Sequence, residues 1–273
     1  MEASKQGRLT IAEGAALLSL DGGVARLTLN RPEASNGMNI ELLEAFNAAI
    51  LMCHGKPEVR VLLISGAGPN FCAGGDVRVF AAQGTELPRY VSKATALLQR
   101  AVLGLIRLDA PVIAAVHGFA AGGGGFGLVC AADMVVAAQS AKFLSGATRV
   151  AMAPDAGASV TLARLVGHRK AMEILLTSPT IGAEEARDLG IVNRVVPDGE
   201  LPAASLALAR ELAAMAPKAL AATKRLVWNG VASSVEACLP EEARTVTELS
   251  GTADAREGLA AVIERRAPKF TGK

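Results

Sequence analysis

Four consecutive glycines, Gly122–Gly125, lie between a strand-like apolar run, Pro111–Val116, and a helix-like one that follows through Cys130. Glycine has no Cβ and tolerates positive φ, so such a run lets backbone approach backbone, and lets a ligand approach both. A flexible linker is the other common use of glycine, but linkers carry serine or proline at their flanks, and these flanks are apolar. A helix that starts inside the run presents unpaired N–H groups and the positive end of its dipole. Such a turn can hold an oxygen that carries negative charge.

The flanking pattern places this turn in an α/β chain. Ala15–Leu20 and Val24–Leu29 around Asp21-Gly22-Gly23 read as a hairpin, because Asp-Gly is favoured turn chemistry. Asn39 is an N-cap for a helix reaching His54, with Leu43, Phe46 and Ile50 on one face. Val61–Ile64 is a short apolar strand, followed by a second glycine-rich loop, Ser65–Asp76, whose Asp76 caps the next helix. Leu87–Leu108 has helical periodicity, and Pro111–Val116 and Asp133–Ala137 are buried strands. Strand, loop and helix in repetition predict a parallel sheet covered by helices. Beyond Asp155 the pattern is mainly helical (156–166, 169–176, 183–189), with a brief strand at Ile191–Val196. From Leu201 helices continue to the end, with breaks at Asn229-Gly230 and Gly251. Residues 1–200 are therefore expected to form the core and residues 201–273 a helical C-terminal region.

Composition removes several function classes. With 51% hydrophobic residues and only 3% aromatic ones, 273 residues build a core of Ala, Val and Leu. A net charge of +2 points away from nucleic acid or an anionic membrane as the main partner. No apolar run approaches the roughly 20 residues of a membrane span. MEASKQGRLT lacks the apolar core of a signal peptide, which makes a cytoplasmic location the expectation. Four cysteines and three histidines are scattered without CxxC or HExxH, so neither a disulfide scaffold nor a metal site is expected. Gly66-Ala67-Gly68-Pro69-Asn70-Phe71 opens like a dinucleotide fingerprint. Phe71 stands where the third glycine belongs, and Pro69 removes an N–H, so the match is weak.

A better use of the second loop pairs it with the first. If neighbouring strands carry Gly74-Gly75 and Gly122–Gly125, their N–H groups converge on one oxygen. Two such donors on a thioester carbonyl stabilise the enolate formed when the adjacent carbon loses a proton, at about 3–4 kcal/mol per donor.

LTLNRP (27–32), NFCAGGD (70–76), VHGFAAGGGG (116–125), PDAG (154–157) and the closing ERRAPKF resemble the enoyl-CoA hydratase/isomerase, or crotonase, superfamily. The resemblance runs over nearly the whole chain in the right order. It implies repeated β-β-α units, a helical C-terminal trimerisation region and assembly into trimers or dimers of trimers. It also implies an acyl-CoA thioester substrate, with coenzyme A entering as part of that substrate and no separate cofactor. Gly75 and Gly123 fall at the two oxyanion donors. Arg31, Ala34, Ala73, Gly74 and Asp76 fall where the family folds coenzyme A against the protein. Lys269 and Phe270 fall in a tail that borders the CoA pocket, sometimes that of a neighbouring subunit; a solvated terminus is the plainer reading of the same residues.

Departures from the family pattern bear on the reaction. The two glutamates of a typical hydratase read Phe126 and Ala147 here. Adding water needs one group to activate the water and another to deliver a proton, so losing both argues against efficient hydration. Asp155 stands where several isomerases and a dehalogenase of the superfamily place a catalytic aspartate. An aspartate before a helix is also an ordinary N-cap. The expectation is double-bond isomerisation of an enoyl-CoA with Asp155 as proton shuttle. The alternatives are an enoyl-CoA hydratase and a non-catalytic acyl-CoA-binding protein.

Overall fold

The computed structural model describes residues 9–273; most of the N-terminal segment read above for a signal peptide lies outside the described residues. Among the described residues ten strands form two sheets. The larger uses β1 (Leu9–Ala12), β2 (Ala16–Asp21), β3 (Val24–Leu29), β4 (Val61–Gly66), β5 (Val112–Val116), β7 (Met134–Ala138) and β10 (Arg194–Val196), in that spatial order. The smaller is built from β6 (Phe119–Ala121), β8 (Lys142–Leu144) and β9 (Ile181–Gly182).

The Asp-Gly turn holds β2 and β3 antiparallel, with Asp21 opposite Val24. From β3 onward every pairing of the large sheet is parallel. β5 is buried along its whole length, as expected of a strand covered on both faces. The helices Ile40–Cys53 and Leu87–Arg107 pack against each other, the first of them also against β2 and β3. Helix Leu201–Ala213 packs on β3, β4, β5 and β7. Its Leu201, Leu208, Ala209 and Ala213 join the main core, so the region 201–273 opens with a helix docked on the sheet.

The local signals predicted from sequence are used as such. Asn39 Oδ1 accepts from Leu42 N at 2.9 Å, and Asp76 Oδ1 accepts from Val79 N at 3.1 Å, each capping a helix. The small sheet is absent from the sequence reading. The expected strand Ile191–Val196 contracts to Arg194–Val196. The glycine run does open a helix, but through one π-helical turn, Gly123–Gly127, before Leu128–Ala131. Among the described residues no helix is long and apolar enough to cross a membrane, and no group of His, Cys, Asp and Glu could hold a metal ion.

Candidate active site

The candidate site is carried by the loops that follow β4 and β5. The two glycine loops meet there. Phe71 N donates to His117 O, Cys72 N to Phe119 O and Ala121 N to Cys72 O, at 2.8–3.0 Å, so residues 71–74 run beside β6. Gly74 is left-handed at φ 100°, and a Cβ on it would sit 3.1 Å from Ala121 O and 3.5 Å from Gly122 Cα. Gly122, at φ 57°, has Gly74 Cα just as close, 3.2 Å from where its Cβ would be. Side chains at either position would push the loops apart. Their absence sets Gly75 and Gly123, the next residue in each loop, on facing backbones.

Asp155 completes the cluster. A Cβ built on Gly123 would overlap Asp155 Oδ1 and lie 2.5 Å from its Cγ. The carboxyl therefore rests on the bare Cα of Gly123. The N-cap reading of Asp155 does not hold: helix Ala158–Val166 is capped by Gly157, and no side chain caps it. Partial burial pushes the Asp155 carboxyl above its ordinary value, opposed by a weaker hydrogen bond to its own backbone. A desolvated carboxylate holds a proton more readily, as a base at carbon requires.

The residues expected to hold coenzyme A lie along one flank of the glycine loops. Arg31 Nη2 pairs with Asp76 Oδ2 at 3.1 Å, tying the end of β3 to the loop that carries Gly75. Ala34 lies in the helical turn Pro32–Ala34, and Ala73 is exposed on the opposite loop, its N–H donating to Ser35 O at 3.0 Å. These two alanines and Gly74 leave the backbone uncovered by long side chains.

Lys269 and Phe270 are not brought to this site within the chain. Phe270 O accepts from Arg60 Nη2 at 3.3 Å, and Arg60 immediately precedes β4, whereas the glycine loop follows its other end. Six extended residues separate those ends by about 20 Å. The tail is held instead by acidic side chains. Asp254 accepts from Thr271 N and Gly272 N at 2.7 and 2.8 Å, and Glu257 from Lys269 N at 2.8 Å.

Two further residues shape the site, Asn36, which the sequence reading passed over, and Phe80, at the start of the region 80–98 expected to wall the pocket. Asn36, fully buried at φ 54°, donates through Nδ2 to Ala67 O, Asn70 O and Phe71 O and accepts from Arg31 N at 2.8 Å. It fastens the turn after β3 to the second glycine loop; the Asn-Gly pair Asn36-Gly37 was its visible signal. Phe80 covers Gly75, for a Cβ there would lie 2.6 Å from its Cζ. Its ring packs edge-on against Tyr90, centroids 5.8 Å apart. Phe126, at one of the two glutamate positions, is 1% exposed in the core, and Ala147 is half-buried at the start of a helical turn. Neither supplies a titratable group.

Comparison with known proteins identifies the family and the fold. The family described as enoyl-CoA hydratase/isomerase matches residues 19–273. A probable enoyl-CoA hydratase of Rhodobacter capsulatus is 39% identical over 251 residues, covering 92% of this chain and 95% of that protein. The 1,2-epoxyphenylacetyl-CoA isomerase of Escherichia coli is 34% identical, covering 94% of this chain and 98% of that protein. The crystal structure of an enoyl-CoA hydratase from Polaromonas sp. JS666 superimposes with a TM-score of 0.90 at 34% identity, covering 94% of this chain and 100% of that one. With a two-sheet fold that brings both glycine loops together and a family match over nearly its full length, this chain is a crotonase-fold enzyme of the enoyl-CoA hydratase/isomerase family.

Proposed function

We propose that the protein shifts the double bond of an enoyl-CoA, with Asp155 as the single acid/base group. The observation that carries this reading is the seat of the Asp155 carboxyl on Gly123, while Phe126 and Ala147 stand at the two glutamate positions of a typical hydratase. Asp155 takes a proton from the carbon next to the thioester carbonyl of a 3-enoyl-CoA. The electron pair delocalises onto the carbonyl oxygen, which receives hydrogen bonds from Gly75 N–H and Gly123 N–H. The same carboxyl returns the proton at the far end of the dienolate, giving the 2-enoyl-CoA, and no water takes part. Arg31, Ala34, Ala73, Gly74 and Asp76 line the approach of coenzyme A, and Arg31 is positioned by its pair with Asp76.

Hydration is the second reading, and the name of the Rhodobacter relative favours it. The two are separated by incubating the enzyme with 3-enoyl-CoA and 2-enoyl-CoA and weighing the products. Isomerisation conserves mass, whereas hydration adds one water. Asp155→Asn is expected to abolish bond migration, and migration at the unaltered rate overturns the proposal. If the unaltered enzyme binds acyl-CoA and converts none of the panel, the non-catalytic alternative stands.

Assembly as a trimer, or a dimer of trimers, belongs to the same proposal. The C-terminal helices expose Val227, Val246, Leu259, Val262 and Ile263, the last at 81%, which a neighbouring subunit would cover. A neighbour would also give Lys269 and Phe270 a CoA pocket to border, since their own lies across the sheet. Light scattering after gel filtration reads the subunit number. A cytoplasmic location accords with four cysteines that are all unpaired.

A further inference from the structure

A second cavity, of about 770 Å³, lies between helix Leu201–Ala213 and the sheet face formed by β3, β4, β5 and β7. Its lining follows from strand alternation. Side chains two apart share a face, so Arg26 and Thr28, Leu63 and Ser65, Ala115 and His117, and Ala138 and Ser140 all point to it. Toward the C-terminal ends of the strands, and just past them at β5 and β7, the lining is polar: Thr28, Ser65, His117 and Ser140; Arg26 adds a charge deeper on β3. The floor, Leu63, Ala115 and Ala138, is apolar, and Leu201 and Leu206 of the helix form an apolar roof.

One group in this lining has no counterpart. The Arg26 side chain makes no hydrogen bond or ion pair among the described residues; the residue is half-buried, and its Nε is buried without an acceptor. A buried donor without a partner is costly, and a charged one more so. The other polar groups are engaged. Thr28 Oγ1 and Ser65 Oγ lie 3.2 Å apart, and His117 Nε2 lies 2.8 Å from Gly68 O. Asp198 accepts from Ser140 N at 3.0 Å. That carboxylate stands beyond β7 while Arg26 is on β3; three strand spacings, about 14 Å, separate the two. Arg26 is therefore a cation without a protein counter-charge at one end of a largely apolar cavity.

We infer that this cavity binds a small amphiphilic anion, its charged group on Arg26 and its apolar body against Leu63, Ala115, Ala138 and Leu206. Gly66, Pro69 and Gly118 at the roots of the glycine loops line the cavity, but Asp155, Gly75 and Gly123 do not. The inference stands whether or not the isomerase reading does.

Hexanoate is the probe, with hexan-1-ol and inorganic phosphate as its two halves, titrated calorimetrically into the full chain and into Arg26→Gln and Asp155→Asn. Hexanoate is expected to bind the unaltered protein, to lose at least tenfold in affinity on Arg26→Gln, and to bind Asp155→Asn undiminished. Hexan-1-ol is expected to bind at least tenfold more weakly than hexanoate and to ignore Arg26→Gln. Leu206→Trp, which fills the chamber but leaves the charge, is expected to weaken hexanoate as well. No detectable binding of hexanoate overturns the proposal. So does equal binding to Arg26→Gln, loss of binding in Asp155→Asn, or phosphate binding as tightly as hexanoate. Far-ultraviolet circular dichroism confirms that each variant folds.

Discussion

Gly123→Ala tests the seat of the carboxyl most directly. A methyl at this position would lie 2.5 Å from Asp155 Cγ and overlap Oδ1. Ordinary van der Waals contact begins near 3.4 Å, so the carboxyl must retreat by about 1 Å or more. A displacement of that order costs roughly 10²-fold when the displaced group does the chemistry, about 2.7 kcal/mol in the barrier. The backbone N–H of residue 123 remains, so the loss falls on proton transfer. Asp155→Asn removes the transfer outright, at about 10²–10⁴-fold. Both changes act through one group, so the double variant should be no slower than Asp155→Asn alone. The assay is the rate of 3-enoyl- to 2-enoyl-CoA conversion at saturating substrate. Thermal melts check folding, since overpacking of this kind costs about 1–3 kcal/mol. Full activity in Gly123→Ala, or two losses that multiply in the double variant, would refute the placement of Asp155 as the base.

Four further outcomes follow from the same geometry. Burial raises the Asp155 carboxyl, so the acid limb of kcat/KM should lie above the ordinary aspartate value of about 3.9 and vanish in Asp155→Asn. Because the native state then binds the proton more tightly than the unfolded chain, this residue's contribution to stability falls as pH rises from the ordinary value through the native one; melting the unaltered protein beside Asp155→Asn across that range measures it. Gly75→Ala drives a methyl to 2.6 Å from Phe80 Cζ, and Phe80→Ala should restore activity, with a coupling of about 0.5–3 kcal/mol in a double-mutant cycle. Lys224, whose Nζ contacts Asp133 Oδ2 at 2.8 Å with both side chains largely buried, loses its counter-charge in Asp133→Ala, at an expected cost of about 3–5 kcal/mol. Urea unfolding can be followed through Trp228, whose indole N–H donates to Asp133 Oδ1 at 2.8 Å.

What could be read before the structure was local. The hairpin of β2 and β3 follows from Asp21-Gly22, and the caps Asn39 and Asp76 follow from side-chain chemistry within three residues. What could not be read depends on pairings between distant segments. β6, β8 and β9 hold three, three and two residues, too few for alternation to show. They exist because Cys72 pairs with Ala120 and Phe143 with Ile181. The anchoring of the tail within the chain depends on such a distant pairing too. Nothing local to Lys269-Phe270 reveals that Asp254 and Glu257 capture the neighbouring amides. The cavity at Arg26 was equally hidden, since four strands must first align before their outward residues form one lining.

The site itself was legible as glycine, though not as what each glycine makes room for. Gly123 and Gly127 lie four residues apart, about one helical turn, so both present bare Cα atoms toward the same side. The segment Asp155-Ala156 passes along that side. Asp155 rests on Gly123, and Ala156 rests on Gly127, where a Cβ would lie 2.6 Å from the Ala156 methyl. Ala156 is left-handed at φ 53° and buried, a conformation costing an L-residue about 1–2 kcal/mol. It is held there by close packing against the helix, which a side chain at Gly127 would forbid. Two missing side chains thus fix two consecutive residues, and the second fixes the first. A typical hydratase of this family places a glutamate at the position of Phe126, between these two glycines. Here that position is sealed into the core, and in the proposed reaction acid/base capacity enters from the opposing loop. One carboxyl beside two main-chain donors is enough to move a proton between two carbons, and that is why the reaction is read from Asp155 rather than from the residues that are gone.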